Sequence, residues 1–261
     1  MRFVTSREYK VMLDPHLFVK IEAGLGEVSR DLQRVAGSLG AKLTGELDKV
    51  ERRTIRFLDT PDSSLRKNAL ILRFRQSKGD TNGTYTLKCR TEDRYIASGR
   101  DISPAKKTKG KSKFEEDIAA PFRSRYSHSV TIDGSLAGMP DSVGNASRLF
   151  PMLAELPRDG GLCDSETPIK VVNDFIPLER VHKGLKLVLS AEVSCSVAVI
   201  LWSHNSKGRV LCAEFSFRYE DPNENYPVSA AQTAYNVFTA IQSLDWCLPG
   251  ASTKTQLAYQ S

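Results

Sequence analysis

Phe57-Leu58-Asp59-Thr60-Pro61-Asp62-Ser63-Ser64-Leu65-Arg66-Lys67-Asn68-Ala69-Leu70-Ile71-Leu72-Arg73-Phe74-Arg75 is the stretch that decides the fold. It reads as the end of one strand, a turn at Thr60-Pro61-Asp62, and the start of a second strand. Asp59 and Asp62 belong to that turn chemistry rather than to a ligand set. In the second strand Arg73 and Arg75 flank Phe74. Side chains two apart share one face of a strand, so two guanidinium groups stand on one side and oil on the other. The same alternation recurs along the chain. Glu8 and Lys10 flank Tyr9, and Lys88 and Arg90 flank Cys89. Glu115 and Asp117 follow Phe114, and Glu214, Ser216 and Arg218 alternate with Phe215 and Phe217. The faces opposite these charges are apolar. If they pack outward under helices, the charged faces line an interior, and a closed barrel of about eight strands leaves room there for one small ligand.

The helices to cover such a barrel are legible. Asp14-Pro15 has the form of an N-cap followed by proline at the first helical position. Leu17, Ile21, Leu25, Val28, Leu32, Val35 and Leu39 then make one apolar stripe, stopped near Gly40. Gly24 and Gly26 weaken that helix locally. Pro227 leads into a second amphipathic helix with Ala231, Ala234, Tyr235, Phe238, Ile241 and Leu244 on one stripe. Strands are expected over residues 2–13, 48–59, 69–76, 84–90, 114–119, 175–182, 185–202 with a turn inside, and 210–220. Residues 120–168 are rich in Ser, Gly and Pro and read as connecting structure with one short helix near 145–156. The whole chain, 1–261, reads as one domain with that insertion. Lys106, Lys107, Lys109, Lys111 and Lys113 form a basic run, read as a solvated loop with a basic lip as the sharper alternative.

Composition narrows the partners. The 261 residues carry 37 Lys and Arg against 31 Asp and Glu, a net charge of +6. That excess favours an anion without choosing which. Acids interleave with the bases and would repel a nucleic-acid backbone, so no nucleic-acid reader is expected, and the longest apolar runs fall far short of the ~18–20 residues of a membrane span. The five cysteines include no C-x-x-C pair, and residues 1–10 are too polar for a signal peptide. Both features point to reduced thiols and a cytoplasmic protein. No Walker loop, nucleophile elbow or Rossmann glycine pattern occurs.

The quoted stretch resembles the pattern YFDTPDxxLxxxGxxLRxR of the CYTH, or triphosphate tunnel metalloenzyme, superfamily. Its members include inorganic tripolyphosphatases, thiamine triphosphatases and class IV adenylyl cyclases. Thr86-Leu87-Lys88 is similar to the family's T-x-K strand. Lys113-Phe114-Glu115-Glu116-Asp117 is similar to its basic-x-Glu-x-acidic strand. Arg180, Glu192 and Glu214 fall where a tunnel arginine and two later acids are expected. The resemblance implies an α+β fold: a closed antiparallel eight-stranded β tunnel with flanking helices. It implies metal-dependent hydrolysis of a triphosphate-containing small molecule, with Mg²⁺ or Mn²⁺ as cofactor. On this reading Lys10, Arg73, Arg75, Lys88, Arg180, Arg90 and Arg218 bind phosphate, and Glu8, Glu192 and Glu214 hold metal. Glu115, Asp117 and Lys88 are the catalytic candidates. The chain would act as a monomer or homodimer.

The departures from the family pattern matter as much. Ser6 stands where the first glutamate of Glu-x-Glu-x-Lys belongs, Ser216 follows Glu214 in place of a second acid, and Ser194 and Ser196 follow Glu192. Fewer carboxylates weaken a divalent site steeply. Two alternatives to hydrolysis therefore stand beside it: a nucleotide or oligophosphate binder without turnover, and a class IV-like adenylyl cyclase.

Overall fold

The computed structural model describes residues 2–260. Nine strands close into a barrel: β1 (Ser6–Leu13), β2 (Lys49–Asp59), β3 (Leu70–Ser77), β4 (Asn82–Thr91), β5 (Gly110–Ala119), β6 (Arg123–Ser135), β7 (Leu178–Lys183), β8 (Ser194–Ser203) and β9 (Val210–Glu220). The order around the wall is β2-β3-β4-β6-β5-β1-β9-β8-β7 and back to β2. All neighbours are antiparallel except β1 and β5, which run parallel with Glu8 opposite Asp117.

This corrects the expected eight antiparallel strands. A closed ring in which every neighbour is antiparallel needs an even number of strands, so a ninth forces one parallel pair. The strand not anticipated is β6, inside the stretch read as connecting structure. Its inward positions are Ser127, Ser129 and Thr131, opposite Lys88, Lys113 and other lumen residues. A strand whose inner face meets charge rather than oil has no strong hydrophobic alternation to announce it.

The helices are α1 (Ile21–Ser38), α2 (Ser64–Lys67), α3 (Arg94–Gly99), α4 (Val143–Leu149), α5 (Val228–Ile241) and α6 (Lys254–Gln260). The stripes of α1 and α5 bury Val28, Leu32, Ala234 and Phe238 on the outer face of β1, β9 and β8, against Tyr9, Phe217 and Val199. Tyr9 and Phe217 stack with ring centroids 4.7 Å apart. On the opposite wall α4 and the 3₁₀ turn Pro151–Glu155 bring Ala146, Phe150 and Leu153 onto Leu72, Phe74, Leu87 and Val130. The apolar faces thus point outward under helices.

Asp14 caps a separate 3₁₀ turn, Pro15–Phe18, through His16 N–H at 2.8 Å, and α1 begins only at Ile21. The expected continuous helix is therefore broken before Gly24, not at it. Gly24 serves a close approach: a Cβ there would lie 2.4 Å from the Leu17 carbonyl oxygen. All five cysteines are free and buried. Among the described residues no helix is long and apolar enough to cross a membrane.

One end of the barrel is closed by oil. Met12, Ile55, Phe57, Val181, Ile200, Trp202 and Cys212 form an interior floor. The C-terminal helix α6, absent from the sequence reading, seals it with Ala258 and Leu257. Asp59 fastens this helix: its Oδ2 accepts from Tyr259 Oη at 2.7 Å, while its Oδ1 accepts from the backbone N–H of Thr60 at 2.8 Å and Leu65 at 2.9 Å. Arg66 lies over the Tyr259 ring at 4.4 Å. The Asp-Thr-Pro-Asp turn is thus structural, capping α2 and tying the two ends of the fold together.

Candidate functional site

The register of the strands fixes which side chains face the lumen. On β1 these are Ser6, Glu8, Lys10 and Met12, because Tyr9, Val11 and Leu13 are committed to the outer core. On β9 they are Cys212, Glu214, Ser216 and Arg218. Arg73 and Arg75 on β3 stand opposite Thr86 and Thr84 of β4, which also contributes Lys88 and Arg90. Lys113, Glu115 and Asp117 enter from β5. The candidates Glu8, Lys10, Arg73, Arg75, Lys88, Arg90, Glu115, Asp117, Glu214 and Arg218 therefore share one interior.

Two candidates do not. Arg180 of β7 sits opposite Arg52 of β2 and Leu201 of β8, and Leu201 belongs to the outer core. Its guanidinium donates to the Ser206 carbonyl outside the wall. The expected tunnel arginine is off by one residue: Glu179 is the inward side chain, opposite Arg53 and Trp202. Glu192 lies exposed in the turn before β8. It lines an outer depression of about 460 Å³ with Glu220 and Asp221, an acidic surface far from suited to a polyanion. An apolar alternation places a strand but not its first residue, and a one-residue slip exchanges the two faces.

Sequence reasoning also missed lumen residues that the fold supplies. Arg53 could have been found by extending the alternation Arg53, Ile55, Phe57 along β2. Glu179 required the correct register of β7. Lys254, from the α6 plug, had no signal, since its helix is short and distant in sequence.

Inside the lumen the charges are paired in a graded way. Lys10 Nζ is 2.6 Å from Asp117 Oδ1 and 2.8 Å from Glu8 Oε2. Arg90 also donates to Asp117, and Lys88 stands 3.7 Å from it and 3.8 Å from Glu115. Burial alone would raise the Asp117 carboxyl, but Arg90, Lys10 and Lys88 together hold it well below the usual carboxylate range. On the other side, Glu179 accepts from Trp202 Nε1 at 2.9 Å and pairs with Arg53. Against burial, Lys254, Arg75 and Arg53 hold that carboxyl far below its ordinary value.

Arg73 and Arg75 differ from these. Among the described residues no carboxylate oxygen lies within 4 Å of the Arg73 guanidinium, and Arg75 has only Glu179, at 3.9 Å. The Nε atoms of both are buried without a hydrogen-bond partner. Burial presses the pKa of Arg75 well down from its ordinary value, and the neighbouring Arg73 adds to it. Lys88 is also lowered, burial outweighing its acidic neighbours.

The geometry of the lumen acids does not make a divalent-ion site. Among the described residues no three of His, Cys, Asp and Glu converge on one point. The carboxylates are instead bridged by ammonium groups: Lys10 between Glu8 and Asp117, Lys113 between Glu115 at 2.8 Å and Glu220 at 2.9 Å, and Lys254 between Glu214 at 2.9 Å and Glu179 at 3.8 Å. As arranged, the acids fit lysine rather than a bare hard cation.

No family model and no curated protein matches the chain. Solved structures do. A candidate adenylyl cyclase of Hippeastrum, described with a dominant triphosphatase activity, is similar at TM-score 0.47 and 11% identity, covering 98% of this chain and 95% of that one. A candidate adenylate cyclase of Bacillus halodurans gives 0.42 and 13%, covering 98% and 97%. The PH1819 protein of Pyrococcus horikoshii gives 0.40 and 10%, covering 98% of both chains. With scores below 0.5 and identities this low, function has to be read from the side chains of this lumen.

Proposed function

We propose that the barrel lumen binds a triphosphate or longer oligophosphate, with Arg73 and Arg75 as the primary phosphate contacts and Arg53, Lys10, Lys88 and Arg90 around them. The observation that carries this reading is the unpaired guanidinium of Arg73. Lys10, Arg90, Arg53 and Lys254 each have a carboxylate within about ion-pair distance, and Arg73 has none. A cation held in a wall without its counter-ion is costly. A phosphate supplies the missing charge and two acceptor oxygens for the planar fork of the guanidinium. Calorimetry with tripolyphosphate, pyrophosphate and orthophosphate tests it. Affinity should rise with phosphate count, and no heat with any of the three would overturn the reading.

Hydrolysis of the bound triphosphate is the second reading. It is favoured by Lys88, whose ammonium is lowered by burial and lies within 4 Å of both Glu115 and Asp117. Carboxylates beside a phosphate site can orient water, and a buried lysine beside them can stabilise charge on the transferring phosphoryl group. Release of orthophosphate from tripolyphosphate, thiamine triphosphate or ATP with Mg²⁺ or Mn²⁺ would support it. Cyclic AMP from ATP would instead indicate the cyclase alternative, and no product from any substrate would leave binding alone.

A further inference from the structure

Lys254 occupies an unusual place. It is the first residue of α6, where a cation opposes the helix dipole, so its position does nothing for the helix. Its side chain instead runs into the barrel to two buried acids, Glu214 at 2.9 Å and Glu179 at 3.8 Å. Glu179 has Arg53 and Trp202 besides. Glu214 has no ion-pair partner other than Lys254 among the described residues. The tail that delivers Lys254 is fixed at three further points: Tyr259 on Asp59, the Ala258 carbonyl on Asn173 Nδ2 at 3.1 Å, and Ala258 in the apolar floor. The ammonium is thus held in place before any ligand arrives, at little entropic cost on binding.

We propose that Lys254 is a tethered cation that fills the Glu179–Glu214 acid pair, excludes divalent metal from it, and leaves the lumen to take its anion without metal. The second half rests on the oligophosphate reading above; the first half does not. An ammonium and a divalent ion compete for the same carboxylate oxygens, and the tethered one is always present. Lys10 does the same between Glu8 and Asp117, and Lys113 stands between Glu115 and Glu220, so the lumen acids that could recruit Mg²⁺ or Mn²⁺ are already paired with cations of the chain.

Mn²⁺ binding to the full chain, read from loss of the free-ion electron paramagnetic resonance signal, tests this directly. Lys254→Arg keeps the charge and should leave Mn²⁺ free, like the unaltered protein. Lys254→Met removes the charge, keeps an unbranched stem, and should bind Mn²⁺ at least about tenfold more tightly, as expected for freed carboxylates. If Lys254→Met shows a lowered urea midpoint, Lys254→Gln takes its place. Equal Mn²⁺ affinity in the unaltered protein and the neutral variant overturns the proposal. Tripolyphosphate calorimetry in chelator, on the same samples, separates the two claims. Metal exclusion without anion binding would sink the oligophosphate reading and leave the role of Lys254 standing. Anion binding that requires Mn²⁺ would do the reverse.

Discussion

Lys10 Nζ lies 2.6 Å from Asp117 Oδ1, across the parallel pairing of β1 and β5. That one contact joins the strand pair that nine-strand closure makes necessary to the densest charge cluster of the lumen. Asp117 also accepts from Arg90 and from Ser127 Oγ at 2.8 Å. Asp117→Asn would leave Arg90 without its ion-pair partner in a buried setting and Lys10 with Glu8 alone. Breaking such a pair from one side costs about 3–5 kcal/mol. Urea unfolding should show a loss of that order; a change below about 1 kcal/mol would mean that solvent, not Asp117, neutralises the cluster.

Arg180 and Glu192 make the opposite prediction. Both stand outside the lumen, Arg180 on the Ser206 carbonyl and Glu192 in an exposed turn. Arg180→Ala and Glu192→Ala should leave tripolyphosphate affinity unchanged within about twofold, since neither can supply the charge-assisted contacts that alter affinity by tenfold per ~1.4 kcal/mol. A loss of tenfold or more in either variant, measured by calorimetry, would show that the anion binds elsewhere.

These two residues also show where the sequence stopped being legible. The Asp-Thr-Pro-Asp turn and the Arg73-Phe74-Arg75 alternation are local signals, and they placed β2, β3 and the inward guanidinium groups. The inner face of β6 is Ser127, Ser129 and Thr131, which has no alternation of oil and charge to read. The register of β7 is set by its partners β2 and β8, so Glu179 and Arg180 could be told apart only once those strands were in place. Lys254 reaches the lumen because α6 folds back onto Asp59, a contact 200 residues apart in sequence.

Gly24 tests the packing of α1. A methyl group at this position would meet the Leu17 carbonyl oxygen at 2.4 Å, a backbone atom that cannot swing aside. Gly24→Ala should therefore destabilise despite alanine's better helix propensity, by about 1–3 kcal/mol as for other overpacked sites. Thermal melting would check it; a raised Tm would contradict the close approach.

His182 and His128, both buried with pKa values lowered by burial, make stability depend on pH near neutrality. His182 is buried on the outer side of β7 with neither ring nitrogen hydrogen-bonded, near Glu22, Arg180 and Arg52. Burial lowers its pKa below the ordinary value of 6.5. The unfolded chain then takes up a proton at a higher pH than the native one does, so stability falls as pH drops from the unfolded value towards the folded one. His182→Phe should lessen, with His128 still contributing, the fall in unfolding free energy below about pH 6.5. Asp117 and Glu179 act lower: their folded values are depressed, so their contribution persists above about pH 4 and is lost only in stronger acid. A slope through pH 6 unchanged in His182→Phe would place the titrating group elsewhere.

On the oligophosphate reading, Arg73 is kept for a ligand rather than for the fold. Arg73→Met retains most of the stem and removes a guanidinium that has no counter-ion in the wall. Paired calorimetry and urea unfolding on this variant decide the matter. Tripolyphosphate affinity should fall by about tenfold to a hundredfold, the worth of one or two charge-assisted contacts, while stability holds or rises because a desolvated, unpaired charge is gone. Unchanged affinity, or an affinity loss accompanied by an equal loss of stability, would contradict the account.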